Sequence, residues 1–130
     1  MRFSLLILGA PYSSQSVSTA LRFAQAAVNA GHSFYRIFFY HDAVNSGNKL
    51  ITPPQDENDI PLQWQNLAND HDIDLVVCIA SALKRGVLDA KEADRYEKNT
   101  YNLNNGFKIS GLGQLIDASI ESDRLITFGP

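Results

Sequence analysis

The chain has 130 residues, 45% hydrophobic and 19% charged, the size and balance of one globular domain spanning 1–130. A formal net charge of −3 and a pI near 5.5 argue against a nucleic-acid or anionic-membrane surface, which calls for a basic stripe. One cysteine rules out an internal disulfide and gives no sign of an oxidising compartment.

The opening apolar run, "FSLLILG" (3–9), passes directly into a Gly-Ala-Pro break. It reads as a strand buried on both faces rather than as a secretion signal. No run approaches the ~20 apolar residues of a membrane helix, and a cytoplasmic protein is expected. From Ser16 to Ala30 the apolar residues Val17, Ala20, Leu21, Ala24, Ala27 and Val28 share one helical stripe. Serines 13, 14 and 16 are its candidate caps, and Gly31 suits a left-handed stop.

"SFYRIFFY" (33–40) reads as an aromatic second strand. The stretch 41–58, with Pro53-Pro54, is turn-rich and is expected to form an irregular surface excursion. A second helix is expected from Asp59–Pro61, with Ile60, Trp64, Leu67 and Ala68 on its apolar side. "DLVVC" (74–78) is the third strand. A short helix over 80–87 follows, and then a polar one whose Asp89 and Glu92 stand in capping-box relation. "GFKIS" (106–110) is a fourth strand. A helix over 111–121 aligns Leu112, Leu115, Ile116 and Ile120 on one face, and "RLITFG" (124–129) is the fifth strand.

This alternation implies an α/β fold, a flavodoxin-like three-layer sandwich with a five-stranded parallel sheet in the order 2-1-3-4-5. In such sheets ligands gather beyond the carboxyl ends of the strands. Cys78 stands at such an end, where strand gives way to helix. A sulfur beside the unpaired amides of a helix N-terminus is favoured as an anion, whether thiolate or persulfide. The plain alternative is that a lone cysteine is a small buried hydrophobe, and the residues alone leave both open.

Lys84 and Arg85 are poor partners for that sulfur, because six helical residues advance ~9 Å. They are expected on a solvated or subunit-facing surface. Ser81 is expected to cap the first turn, or alternatively to bond the sulfur. The remaining surroundings of the sulfur are sought at Ser13, Ser14, Ile79, Ala80 and Gly111. The histidines 32, 41 and 71 show no metal-ligand spacing, so no metal and no cofactor are expected. His41 alone falls on the functional edge. G-x-S-x-G, the P-loop and G-x-G-x-x-G are all absent. The serine-rich loop at 12–16 keeps a flavin or nucleotide binder in view as a rival, and an inert structural subunit is another.

Taken together, "GAPYSSQSVSTALRFAQA", "FFYHDAV", "CIASALKRGV" and "GFKISGLGQLIDASIESDRLITF" resemble the DsrE/DsrF-like family of small sulfur-relay proteins, and within it the TusD-like branch. The resemblance spans essentially the whole chain. It implies a sulfurtransferase in which the cysteine matching Cys78 accepts sulfane sulfur as a persulfide and hands it on. It implies TusB-like and TusC-like subunits in a heterohexamer, with a TusA-like donor and a TusE-like acceptor binding transiently. The relay it implies ends in 2-thiouridine at the tRNA wobble position, without direct contact with nucleic acid or membrane. Ala43 departs from the glycine that relatives often carry before the valine of "HDAV". The sulfur-oxidation branch, in which a DsrE-like subunit works beside DsrF and DsrH, fits the same resemblance.

Overall fold

Five parallel strands, β1 (Arg2–Ile7), β2 (Ser33–Phe39), β3 (Asp74–Cys78), β4 (Phe107–Ser110) and β5 (Arg124–Phe128), form one sheet in the order β4-β3-β2-β1-β5. The computed structural model describes residues 1–130. Between the strands run α1 (Ser16–Asn29), a 3-10 segment (His41–Gly47), α2 (Ile60–His71), α3 (Ile79–Lys84), α4 (Ala90–Arg95) and α5 (Gly113–Glu121). The α/β sandwich and its strands agree with the sequence. The strand order does not: 2-1-3-4-5 makes β2 an edge. β2 is instead central, because five of its seven residues are buried and such a strand needs a neighbour on each side. β5, with no fully buried position, takes an edge.

Single-step crossovers β1→β2→β3→β4 put their helices on one face by the right-handed rule, and the return from β4 to β5 puts α5 on the other. The side chains agree. Leu5, Ile7, Ile37, Phe39, Leu75 and Val77 join Val17, Leu21, Trp64, Leu67 and Ala82 in the main core. Phe38, Val76 and Cys78 form a small cluster on the opposite face, packed by Leu6, Tyr40 and Leu115. One face carries α1, α2 and α3; the other has one nine-residue helix.

Local signals explain the helix ends. Asp59 accepts a hydrogen bond from the Leu62 amide at 3.2 Å with Pro61 inside the first turn, and Gly31 takes the left-handed φ of +91° after α1. Asp89 caps α4 by accepting from the Glu92 amide at 2.8 Å. The stretch 41–58 is less of an excursion than its composition suggests. Ala43, Val44, Ser46 and Gly47 are buried, and Asn48 bridges to Leu103. A Cβ on Gly47 would stand 3.0 Å from Leu103 Cδ1 and 3.1 Å from Phe107, so any larger residue there must push these side chains back by a few tenths of an ångström.

The pairing of β1 with β2 slips between Phe3 and Ser4, leaving Tyr35 as an extra residue in β2. Ser4 Oγ accepts from the Arg36 amide at 3.2 Å beside this bulge. Consecutive strand residues normally point to opposite faces, yet here Tyr35 and Arg36 both reach Asp117 on α5. The apolar residues that line up along α5 lie mostly on its outer side. Only Ala118 is buried, Leu115 is half-buried, and Leu112, Ile116 and Ile120 are exposed.

Candidate functional site

Cys78 ends β3 and is the residue from which α3 starts. The alternation of strand side chains sends Val77 into the main core and Cys78 to the α5 face. There the sulfur lies with Phe38 and Val76, 2% exposed, under the partly buried Leu6, Tyr40 and Leu115. The sequence places the sulfur beside the first-turn amides of the next helix. In the structure Cys78 is the residue before that first turn, but its side chain makes no hydrogen bond to α3. The cause is the pleat: α3 packs Ala82 into the core on the face that the Cys78 side chain leaves. In the isolated chain the thiol thus has the apolar burial of the plain alternative.

Its place in the topology is nevertheless distinctive. Beyond β3 the chain turns to the α1–α2 face, whereas beyond β4 it turns to the α5 face. Adjacent strands whose outgoing connections diverge define the crevice where open α/β sheets bind ligands. Cys78 pairs in register with Ser110 at that point.

Ser81 neither caps its own helix nor bonds the sulfur. Its buried Oγ accepts from the His41 amide at 3.1 Å and so ties the 3-10 segment to α3. His41 is held at a left-handed φ of +50° and stacks on Tyr40 with ring centroids 4.1 Å apart. Arg85 is not simply solvated: its Nε donates to Asp42 Oδ1 at 2.7 Å, fastening the same segment, while Lys84 is exposed. These contacts fix Tyr40, which packs on the cysteine cluster.

Of the other candidate surroundings, Ile79 is half-buried and Ala80 exposed. Gly111 follows Ser110 with open space where a Cβ would stand. Ser13 is exposed, and Ser14 bonds within its own loop to the Ser16 amide and hydroxyl. That loop ends β1, two strands from β3, and lines a cleft of about 510 Å³ with Thr127 and Phe128. The structure therefore gathers Ser110, Gly111, Tyr40 and Leu115 near Cys78 and leaves the serine loop elsewhere.

Sequence reasoning passed over Arg36, Tyr35 and Asp117. Arg36, 8% exposed, donates from Nε to Asp74 Oδ2 at 2.7 Å. Its Nη1 donates to Asp117 Oδ2 at 2.9 Å and to the Gln114 carbonyl at 2.8 Å. The Tyr35 hydroxyl donates to the same Asp117 oxygen at 2.6 Å. Those two donors, Tyr35 first, hold the Asp117 carboxyl below the usual carboxylate range, and the bond to Asp117 raises the Tyr35 phenol. Burial works against the Arg36 charge, but its bonds to Asp74 and Asp117 outweigh it. The signal was available: an arginine inside "SFYRIFFY" has to find partners.

Residues 1–128 match the family model described as the DsrE/DsrF-like family. The chain belongs to that family. It is 47% identical over 129 residues, 99% of each chain, to a protein of Allochromatium vinosum that carries the name sulfurtransferase DsrE. It is 42% identical over 128 residues to the sulfurtransferase TusD of Salmonella enteritidis, covering 98% of this chain and all of that one. The ychN protein from E. coli, at 23% identity, shares the fold with a TM-score of 0.73 over 98% of this chain and all of that one. As a DsrE/DsrF-like protein with relatives so named, the chain has sulfurtransferase as its enzyme class. No helix is long and apolar enough to cross a membrane.

Proposed function

We propose that this DsrE/DsrF-like chain is a persulfide carrier that works through Cys78. The observation that carries the reading is the position of the only cysteine, at the divergence of β3 and β4, in a chain whose relatives are named sulfurtransferases. Loading is a thiol exchange without net oxidation. The Cys78 thiolate attacks the outer sulfur of a donor persulfide, the donor S–S bond breaks, and the donor leaves as a thiolate. Unloading mirrors it: an acceptor thiolate takes the outer sulfur and Cys78 leaves as a thiolate. With no second thiol in the chain, both exchanges are intermolecular.

In this reading the chain works in the cytoplasm with TusB-like and TusC-like subunits, takes sulfur from a TusA-like donor and gives it to a TusE-like acceptor for 2-thiouridine at the tRNA wobble position. A second reading, service in a sulfur-oxidation complex, is favoured by the higher identity to DsrE. A third, a structural subunit with an inert thiol, is favoured by the 2% exposure of Cys78.

Intact-mass measurement after incubation with a desulfurase, cysteine and the upstream carrier tests the proposal. One added sulfur on the native chain, absent from Cys78→Ala, is the expected result. No added sulfur in the assembled complex defeats the carrier reading in favour of the structural one. Loss of tRNA 2-thiouridine on deletion, restored by the native gene alone, separates thiolation from sulfur oxidation.

A further inference from the structure

α5 is fastened to the sheet unlike the other long helices. α1 buries Val17, Ala20, Leu21, Ala24 and Ala27, and α2 buries Ile60, Trp64, Leu67 and Ala68. α5 buries one alanine, and its apolar residues Leu112, Ile116 and Ile120 face solvent at 46%, 61% and 73% exposure. Hydrocarbon burial does little to hold it. Its C-terminal end is tied down, with Ser122 Oγ 2.5 Å from Ser4 Oγ and the Asp123 amide donating to the Arg2 carbonyl at 2.7 Å. Its first turns, from Gly113 to Asp117, rest on the polar clamp from β2.

That clamp has structure devoted to it. The β-bulge at Tyr35 re-aims two consecutive side chains onto one Asp117 oxygen. Arg36 also reaches the Gln114 carbonyl one residue before Leu115, and Leu115 is the α5 side chain that packs on Phe38, Val76 and Cys78. Gly111 and Gly113, at the free end of the helix, have open space around them.

We propose that Arg36 is a positioning residue: by clamping Asp117 and Gln114 it holds the start of α5, and with it Leu115, closed over Cys78. Access to the sulfur is then set by release of this clamp with α5 pivoting on its anchored C-terminal end. The geometric part stands on the fold alone. Its meaning for sulfur transfer rests on the carrier reading above.

The test is the rate of Cys78 alkylation by excess iodoacetamide in the full native chain, with thermal midpoints recorded in parallel. Asp117→Asn leaves Arg36 paired with Asp74 but removes an ionic anchor of α5. It is expected to accelerate labelling about tenfold, the order of one charge-assisted hydrogen bond. Asp74→Asn removes the charge of the guanidinium's other partner, and with it the ion pair to Lys108, while leaving the α5 contacts, and is expected to stay within about twofold of the native rate. Tyr35→Phe, which removes one bond to Asp117 and keeps the ring, should fall between them and takes the place of Asp117→Asn if that variant fails to fold. An unchanged rate in the anchor variant, or an equal acceleration in Asp74→Asn, overturns the proposal. The labelling rate is independent of persulfide formation. A failed clamp with normal sulfur loading therefore refutes this inference alone, and a working clamp with no loading refutes the carrier reading alone.

Discussion

Cys78 and Ser110 stand in register on β3 and β4, the two strands whose outgoing chains part to opposite faces of the sheet. Cys78 is buried while Ser110 is half-exposed. This pairing points to access along the Ser110–Gly111 edge, past the half-buried Leu6, Tyr40 and Leu115 that pack on the cysteine cluster. It takes the movement of a side chain or of α5, and no strand has to separate.

The choice of cysteine replacement matters here. Cys78→Ala trims an atom from an apolar cluster and should cost about 1 kcal/mol. Cys78→Ser puts a hydroxyl into the apolar cluster of Phe38, Val76 and Leu115, at a cost of about 1–3 kcal/mol. Both should lose sulfur loading in intact-mass measurements, but only alanine should do so with a nearly native urea midpoint. Equal stability of the two would show that the site is wetter than the structure indicates.

Ser81→Ala separates two roles for that hydroxyl. Its Oγ is the acceptor for the amide of His41, whose backbone is already in a left-handed conformation. Losing the acceptor should cost about 1–2 kcal/mol and loosen the 3-10 segment, measured as faster hydrogen exchange at His41. The rate of persulfide formation in the folded fraction should not change. A fall in that rate with unchanged stability would instead place the hydroxyl on the sulfur.

How much of this was legible in the sequence divides along a physical line. Periodicity placed α1, α2 and all five strands, because it depends on residues a few positions apart; Asp59 caps α2 as its sequence suggests, whereas the residue before α1 is Gln15, with no side-chain cap from the serines. The order of strands depends on how much of each is buried. The two-sided aromatic burial of β2 could have been weighed against β5, which carries Arg124 and Thr127 in only five residues, and that comparison favours the observed order. For α5 the spacing correctly aligned Leu112, Ile116 and Ile120, but period alone does not say whether a stripe meets the core or solvent. The strand-end position of Cys78 was readable. Its face was not inferred, because Val76 and Val77 are both apolar and a period of two does not say which of them meets the α3 side.

Acidity should act on the clamp with a definite sign. The folded Asp117 carboxyl titrates below its unfolded value of about 3.9. Its contribution to stability is therefore complete above that range and is lost as pH falls through the folded value. Tyr35 gives the mirror image: its phenol is raised, so its contribution is full below about pH 10 and disappears as pH climbs through the folded value. Urea midpoints measured across pH should show a shallower acid limb for Asp117→Asn than for the native chain. Identical acid limbs would mean that the carboxylate is not held as the geometry indicates.

Leu115→Ala removes the cover directly and leaves the clamp in place. Leu115 is half-buried, so truncation should cost about 1–2 kcal/mol, less than a fully buried leucine. Alkylation of Cys78 should nevertheless accelerate well beyond what that loss of stability allows through global unfolding, because the opening is local. If the clamp acts through Leu115, the two routes share one barrier. The double variant Leu115→Ala/Asp117→Asn should then label more slowly than the product of the two single accelerations predicts. Multiplicative rates would mean that α5 and Leu115 guard the sulfur independently, and access along the Ser110 edge would have to be explained by Tyr40 or Leu6, the remaining half-buried side chains packed on the cluster.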